Sequence, residues 1–204
     1  MFYRFIVRLM ITLCSVAALH VGAASLEAQV KDCEGCHGPD GVSQCPDMPT
    51  IAGVSIASHE EAMFAYLDGL RPCEKSDYRH GDTSRAATDM CTVAKALSED
   101  DIAALAEYFA DKKFVAMKQT TDAGKAKAGE AVHEAECKLC HSDGGSNPED
   151  DAGILAGQPM GYLKKAFKEY RSETREQPKK MKSKIDALSD EDIDALVHFY
   201  ASQQ

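Results

Sequence analysis

Two stretches, one near the end of each half, show the clearest helical pattern in the chain. Each begins with a serine that is followed three residues later by an aspartate, the position of the partner in a helix capping box. Apolar residues then recur at the spacing that places them on one face of a helix, which predicts core helices rather than sites of chemistry. The stretches begin at Ser98 and Ser189, with Ile102, Leu105, Ala106 and Phe109 in the first and Ile193, Leu196, Val197 and Tyr200 in the second.

The rest of the chain predicts helices in the same order in both halves. Helices are expected over residues 26–32 and 125–136, each leading into a cysteine pair, and over roughly 59–69 and 160–172 in the middle of each half. Stretches with glycine and proline after each cysteine pair indicate loops. The sequence therefore predicts an all-α protein.

An internal repeat explains this parallel order. Residues 51–53 and 155–157 match at an offset of 104, as do Tyr66 and Tyr170, whereas the capping stretches match at an offset of 91. The first half therefore carries 13 extra residues between Tyr66 and Leu97. Duplication accounts for these matches. We predict two tandem domains at residues 25–112 and 125–204, a linker at 113–124 and a secretory signal peptide at 1–24.

Each domain contains the motif Cys-x-x-Cys-His, the attachment signature of c-type haem. Two thiols on one turn of chain can form thioether bonds to the two vinyl groups of one porphyrin, and the following histidine then binds the iron. The sequence thus predicts two covalently bound haem c groups, each filling the core of a small domain. The predicted residues are Cys33, Cys36 and His37 in the first domain and Cys137, Cys140 and His141 in the second.

A thioredoxin-like dithiol and a zinc site are the two other uses of such cysteine pairs. A dithiol needs neither the histidine nor a second copy of the motif. A zinc site would join both pairs into one four-cysteine site, although they lie about a hundred residues apart in sequence. Haem attachment is the interpretation that uses every residue of both motifs.

The repeat also suggests the second axial ligand of each iron. Met90 and Met181 each lie seven residues before the leucine that precedes the capping stretch. A thioether ligand favours reduced iron, raises the reduction potential and closes the site to oxygen or peroxide. We predict Met90 and Met181 as ligands, each on a loop ahead of the final helix; packing alone is the alternative. The other methionines and histidines of the mature chain have no partner in the repeat.

Three cysteines remain after the signal segment and the two motifs are set aside. Cys73 and Cys91 are the best disulfide pair in an oxidising compartment, where the bond would clip the extra segment and hold the loop of Met90. Cys91 as an iron ligand or a reactive thiol is the alternative. Cys45 is then either a free thiol or an alternative disulfide partner for Cys73 or Cys91.

The N-terminus and the charge indicate the compartment and exclude one class of partner. Arg4 and Arg8 precede an apolar run that is too short to span a bilayer, and small residues near Ala23 offer a cleavage site, although a retained anchor is the alternative. Export fits covalent haem and predicts a bacterial periplasmic protein with no membrane span after cleavage. The mature chain has 21 Lys and Arg against 33 Asp and Glu, which excludes nucleic acid as a partner.

The doubled motif with matching methionines resembles the dihaem class I cytochromes c. Two families are similar: cytochrome c₄, and the cytochrome subunit of flavocytochrome c sulfide dehydrogenase. Residues 154–158, the basic stretch through Met181 and the last six residues resemble the second family, whereas residues 49–53 and the extra segment resemble the first. In class I cytochromes a proline carbonyl orients the ligating histidine; Pro49 has that spacing, but Gly153 stands at its place in the second repeat.

The resemblance implies tandem cytochrome c domains that carry single electrons and have no catalytic residues of their own. The first expectation is a subunit that accepts electrons from a sulfide-oxidising FAD flavoprotein and passes them to a downstream redox protein or oxidase. The alternative is a free cytochrome c₄-type carrier feeding a terminal oxidase. An enzyme such as a dihaem peroxidase or thiosulfate dehydrogenase needs an open or unusually ligated iron, which the paired methionines disfavour. Nine Lys and Arg against three acidic residues over 160–184 suggest a surface for an acidic partner.

Overall fold

The computed structural model describes residues 24–203, so all but the last residue of the predicted signal peptide lies outside the described residues. Within this range the protein is all-α, as predicted, and one isolated bridge between Ser76 and Thr88 is the extent of β-type pairing. No helix in the range is long and apolar enough to cross a membrane.

The helices follow the same order in both halves of the described chain. In each half the first helix leads into or contains the haem motif, a middle helix and a short helix follow it, and a capped helix closes the domain. The first half contains α1 (Leu26–His37), α2 (Ile56–Leu67), α3 (Met90–Lys95) and α4 (Glu99–Ala110), and the second contains α5 (Ala123–Val132), α6 (Met160–Arg171), α7 (Lys179–Ala187) and α8 (Asp190–Ser202). Shorter helical turns occupy Pro39–Gly41, His133–Cys137, Asp143–Gly145 and Pro148–Asp150.

The predicted capping boxes start the closing helices α4 and α8. The Asp101 backbone N–H donates to Ser98 Oγ at 3.1 Å, and the Ser98 backbone N–H donates to Asp101 Oδ2 at 2.9 Å; Ser189 and Asp192 repeat both bonds. Each cap satisfies orphan donors of the first turn, which locks the register of the apolar face that follows. That face packs in the core of each domain: Ile102, Leu105, Ala106 and Phe109 are buried in α4, and Leu196, Val197, Phe199 and Tyr200 in α8.

The backbone hydrogen bonds after the motifs also repeat. One glycine carbonyl in each domain, from Gly41 and Gly145, accepts two backbone N–H groups ten and eleven residues further on. The Gly53 N–H donates to Phe109 O, and the Gly157 N–H donates to Tyr200 O, both at 2.8 Å. Matching bonds at matching offsets indicate that the two halves are copies of one cytochrome c-like unit.

The segment between the domains packs along both of them. A Cβ at Gly53 would lie 2.9 Å from the backbone nitrogen of Phe114, and the Met117 N–H donates to Gly157 O at 2.9 Å. Both glycines have positive φ, at 69° and 72°, so each combines a left-handed turn with close contact to the linker. The predicted linker is therefore part of the packed structure rather than a loose tether.

The crossing of α5 and α8 depends on the lack of a side chain at Gly129. A Cβ at this position would overlap the carbonyl oxygen of Ala195 in α8. We expect Gly129→Ala to lower the free energy of unfolding of the second domain by about 2 kcal/mol, because the helices must separate to admit the methyl group. Urea unfolding followed by haem absorbance of each domain measures this.

Gly124→Ala in the same helix is the matched control. Its Cβ would lie 3.2 Å from the flexible side chain of Asp122, and alanine favours a helix by up to about 1 kcal/mol over glycine. Equal stability of the two variants would contradict the assigned close approach.

Candidate haem sites

The first motif forms the last turn of α1. The structure extends this helix from the predicted end at residue 32 to His37, and Gly38 then ends it with φ of 85°. Cys33 and Cys36 are free thiols on this turn. Burial raises the pKa of the Cys33 thiol to about 12. The two thiols and the imidazole therefore lie on one short stretch of helix at the edge of the first domain core.

The ring of His37 is buried and held by one hydrogen bond. Its Nδ1–H donates to Pro49 O at 2.9 Å, the bond that the Pro49 spacing suggested. Because a carbonyl oxygen only accepts, Nδ1 carries the proton and Nε2 is left with its lone pair for a metal. Burial lowers the pKa of His37, although the Pro49 bond opposes this. A neutral ring with a fixed tautomer is the form that binds iron.

The second motif differs in backbone and in hydrogen bonding. A π-helical turn, His133–Cys137, leads into it, where the first motif continues a regular α-helix. His141 Nδ1 is buried without a hydrogen-bond partner, and burial lowers the pKa of this ring. Gly153, at the place of Pro49, instead donates its N–H to Ser58 Oγ of the first domain at 3.1 Å. The replacement of Pro49 by Gly153 in the second repeat is therefore accompanied by a different hydrogen-bond arrangement behind the histidine.

Met90 and Met181 lie on helices, so the predicted loop position was wrong for both. Met90 is the first residue of α3, because Asp89 caps that helix by accepting the Thr92 N–H at 2.8 Å. Met181 is the third residue of α7, which starts after Pro178. Both side chains are half-buried. Met181 packs against the core under α8, as does Met160. Their role as iron ligands stays a prediction.

A disulfide joins Cys73 to Cys91, with the Cα atoms 5.7 Å apart. Between them, backbone bonds of 2.7 and 3.0 Å pair Ser76 with Thr88, so residues 73–91 form a closed hairpin, here called the insertion hairpin. Since Cys91 follows Met90 directly, the bond ties the start of α3 to the base of this hairpin. Cys45 remains a free, half-buried thiol.

The insertion hairpin covers the first motif, a contact that the sequence analysis did not find. Gly35 O accepts the backbone N–H groups of Arg79, at 2.7 Å, and His80, at 3.0 Å. A Cβ at Gly35 would lie 2.6 Å from the ring of Tyr78, whose hydroxyl donates to Asp32 Oδ1 at 3.2 Å. Two features of the sequence could have indicated this contact: the glycine between the motif cysteines and the 13 extra residues of the first half.

The second motif lacks such a cover. Leu139, the counterpart of Gly35, is 93% exposed. Lys184 Nζ in α7 lies 2.6 Å from Glu136 Oε2, which brings the helix of Met181 beside this motif. One motif is thus enclosed by its own chain, and the other presents an apolar side chain to solvent.

Buried contacts of two kinds join the domains near their motifs. The Thr50 N–H donates to Gln158 Oε1 at 3.0 Å, and Gln158 Nε2 donates to Thr50 O at 2.9 Å. Both residues are almost fully buried. Neither was singled out by chemistry in the sequence, since an uncharged pair 108 residues apart leaves no local signal.

An arginine and tyrosine cluster forms the second contact, in which Tyr162 of the second domain interacts with Arg71 of the first domain and with Arg175. Arg71 Cζ lies 4.6 Å from the ring centre of Tyr66, and Arg175 Cζ lies 4.5 Å from that of Tyr170. Burial would raise the pKa of Tyr162, but the charges of both arginines outweigh it and lower that pKa. The two arginines keep the offset of 104, so the repeat alignment could have identified them.

The donor sets fit covalent haem and do not fit one shared zinc site. Among the described residues, the group of three or more possible ligands that comes within 4.8 Å is Cys73, Asp89 and Cys91, so the two motifs do not converge. Each motif instead keeps two free thiols and, in its own domain, an imidazole whose pKa is lowered by burial, which favours the neutral ring. Haem bound there supplies reversible one-electron chemistry. Cys33, Cys36, Cys137 and Cys140 would hold the two groups, His37 and His141 would bind the irons, and the Pro49 carbonyl orients the ring of His37.

Comparisons with known proteins agree with this geometry. The family model described as cytochrome c matches residues 23–111, and the model described as cytochrome c oxidase, cbb3-type, subunit III matches residues 124–199. Cytochrome c4 of Pseudomonas aeruginosa is 30% identical over 209 residues, which cover 95% of each chain. Cytochrome c4 of Azotobacter vinelandii is 27% identical over 94% of each chain.

A solved structure extends the likeness to the fold. Reduced recombinant cytochrome c4 from Pseudomonas stutzeri has a TM-score of 0.70 and 25% identity, over 89% of this chain and all of that one. The predicted fold of tandem cytochrome c domains is therefore confirmed, as are the two covalently bound haem c groups. The chain belongs to the cytochrome c4 family and is a dihaem electron carrier.

Proposed function

We propose that this chain is a freestanding periplasmic carrier that exchanges electrons with its redox partners mainly through the second domain and feeds a terminal oxidase. The observation that carries this is the contrast between the motifs: Leu139 is exposed, whereas Gly35 is enclosed under the insertion hairpin. Electron transfer requires close approach of a partner, so the uncovered motif is the better contact point. Full-length similarity to cytochromes c4 supports the carrier over the flavoprotein subunit that was expected first.

The chemistry around Met181 supports an acidic partner at this contact point. Of the nine cationic side chains over 160–184, several are neutralised within the domain, among them Lys182 by Glu173 and Asp186. Lys179 and Lys180 directly precede Met181, are exposed, and make no ion pair within 4.0 Å among the described residues. Two uncompensated cations at the start of the helix whose Lys184 contacts Glu136, next to the second motif, could attract an acidic partner toward this domain.

Charge reversal tests the docking surface. We expect Lys179→Glu/Lys180→Glu to lower the second-order rate constant of electron exchange with an acidic redox partner about tenfold at low ionic strength, and much less at high salt. Lys118→Glu/Lys127→Glu is the matched control, since it makes the same charge change on exposed lysines of the linker and α5. Equal losses in the two variants would show that net charge alone matters and would contradict the proposed surface.

A sulfide-oxidising FAD flavoprotein is the second candidate partner, favoured by the same basic surface beside the second haem. Purification of the native protein from the periplasm separates the two. A tightly bound flavoprotein, together with sulfide reducing the haems in its presence alone, would select the subunit function. A lone cytochrome that supports oxidase turnover would select the free carrier.

A further inference from the structure

We propose that Gln158 is a positioning residue through which the second domain sets the hydrogen bond on the axial histidine of the first haem. The contact is a relay across one peptide group. The C=O of Pro49 and the N–H of Thr50 belong to the same peptide unit. The C=O accepts from His37 Nδ1 at 2.9 Å, and the N–H donates to Gln158 Oε1 at 3.0 Å.

Further hydrogen bonds fix both Thr50 and Gln158 in place. Gln158 Nε2 donates back to Thr50 O at 2.9 Å, and the Ser43 N–H donates to Thr50 Oγ1 at 3.1 Å. Gln158 itself is fixed by its carbonyl, which accepts from Gln119 Nε2 at 2.8 Å. Thr50 is 1% exposed and Gln158 is 3% exposed, so water does not compete for these bonds. The orientation of the Pro49 carbonyl therefore depends on a side chain of the other domain.

Hydrogen bonds in series polarise one another. An acceptor on the N–H of a peptide makes its C=O a stronger acceptor, by about 10–30% per bond in a condensed phase. A stronger bond from His37 to Pro49 O gives the imidazole more electron density to donate to iron. That donation favours the ferric state and lowers the reduction potential. Gln158 thus lowers the potential of the first haem without touching it.

The relay runs in one direction. Val54 stands at the place of Gln158 in the first repeat, and its side chain has no hydrogen-bonding group. His141 Nδ1 makes no bond to Gly153. The corresponding contact from the first domain is the bond from the Gly153 N–H to Ser58 Oγ. This bond is not continued to His141. The first haem is therefore tuned by the second domain, whereas the second haem lacks this control.

Gln158→Met tests the proposal in the holoprotein, because methionine keeps the length of the side chain and removes both bonds. We expect the potential of the first haem to rise and that of the second to stay unchanged. The equilibrium constant for electron exchange between the haems should shift about threefold toward reduction of the first, or ~30 mV at 59 mV per tenfold. Potentiometry, with each haem assigned by NMR, measures both potentials, and the NMR signal of the His37 Nδ1 proton should move upfield as its bond weakens.

Gln158→Glu and Ser58→Ala are the companion variants. Glutamate keeps an acceptor for the Thr50 N–H, so the first potential should stay at or below its native value, and this variant also serves if Gln158→Met does not fold. Ser58→Ala removes an interface bond outside the relay and should leave the first potential unchanged. Equal movement of both potentials in Gln158→Met, no movement of the first, or the same rise in Gln158→Glu would each overturn the proposal.

Discussion

Replacement of Met181 by alanine should abolish the long-wavelength band of methionine-ligated ferric haem in the second domain and leave the band of the first. Loss of the thioether opens the sixth position of iron to water or added ligands. It also removes the ligand that favours reduced iron, so the potential of that haem should fall by on the order of 0.2 V. Absorption spectroscopy of the ferric protein, followed by potentiometry of each haem, measures both effects.

Met160 supplies a matched control for this result. Both methionines are half-buried and pack against the same apolar core beneath α8, but Met160 has no counterpart in the first repeat. Met160→Ala should therefore keep the band and lose packing alone, at a cost of about 2–3 kcal/mol. Loss of the band in Met160→Ala, or its survival in Met181→Ala, would show that the repeat alignment selected the wrong methionine.

Removal of the disulfide, as Cys73→Ser/Cys91→Ser, should destabilise the first domain and leave the second intact. The bond closes a loop over a sequence separation of 18, and closure of such a loop is worth about 3 kcal/mol. The start of α3 would then be held by the Asp89 cap and by packing, so exogenous cyanide should replace Met90 faster. Urea titration followed at the haem of each domain, with cyanide binding rates, measures the two consequences.

Cys45→Ser is the control for cysteine substitution as such, because Cys45 is a free thiol in the same domain. Its effect should stay within about 0.5 kcal/mol. A double variant as stable as Cys45→Ser, or a loss shared equally by both domains, would contradict a role for the disulfide in holding the first haem domain.

The repeated features of this fold could be predicted from the sequence. Ser98 and Ser189 start helices as expected, because a capping box is local in sequence. The haem motifs were recognised from the Cys-x-x-Cys-His pattern itself, and the offset of 91 selected Met90 and Met181 as the predicted ligands. The position of Met90 on a helix was missed, since Asp89 was not recognised as a cap.

The features that distinguish the two domains could not be predicted in the same way. The insertion hairpin has no counterpart in the second half, so comparison of the repeats says nothing about where Tyr78 packs. Thr50 and Gln158 are joined across 108 residues by polar groups of no special pattern. Such contacts depend on how the two domains pack against each other, and the hydrophobic pattern of the sequence carries no information about that packing.

The insertion hairpin also constrains how the protein is made. Haem can be joined to the first motif while both of its thiols are reduced and reachable by the attachment machinery. In the folded domain Cys33 is half-buried, and the Cys36 thiol donates to Asp77 O of the hairpin at 3.8 Å. A hairpin already locked by oxidation would block ligation. We therefore expect haem ligation at the first motif to precede oxidation of Cys73 and Cys91, whereas ligation at the second motif, where Leu139 is exposed, does not depend on that disulfide.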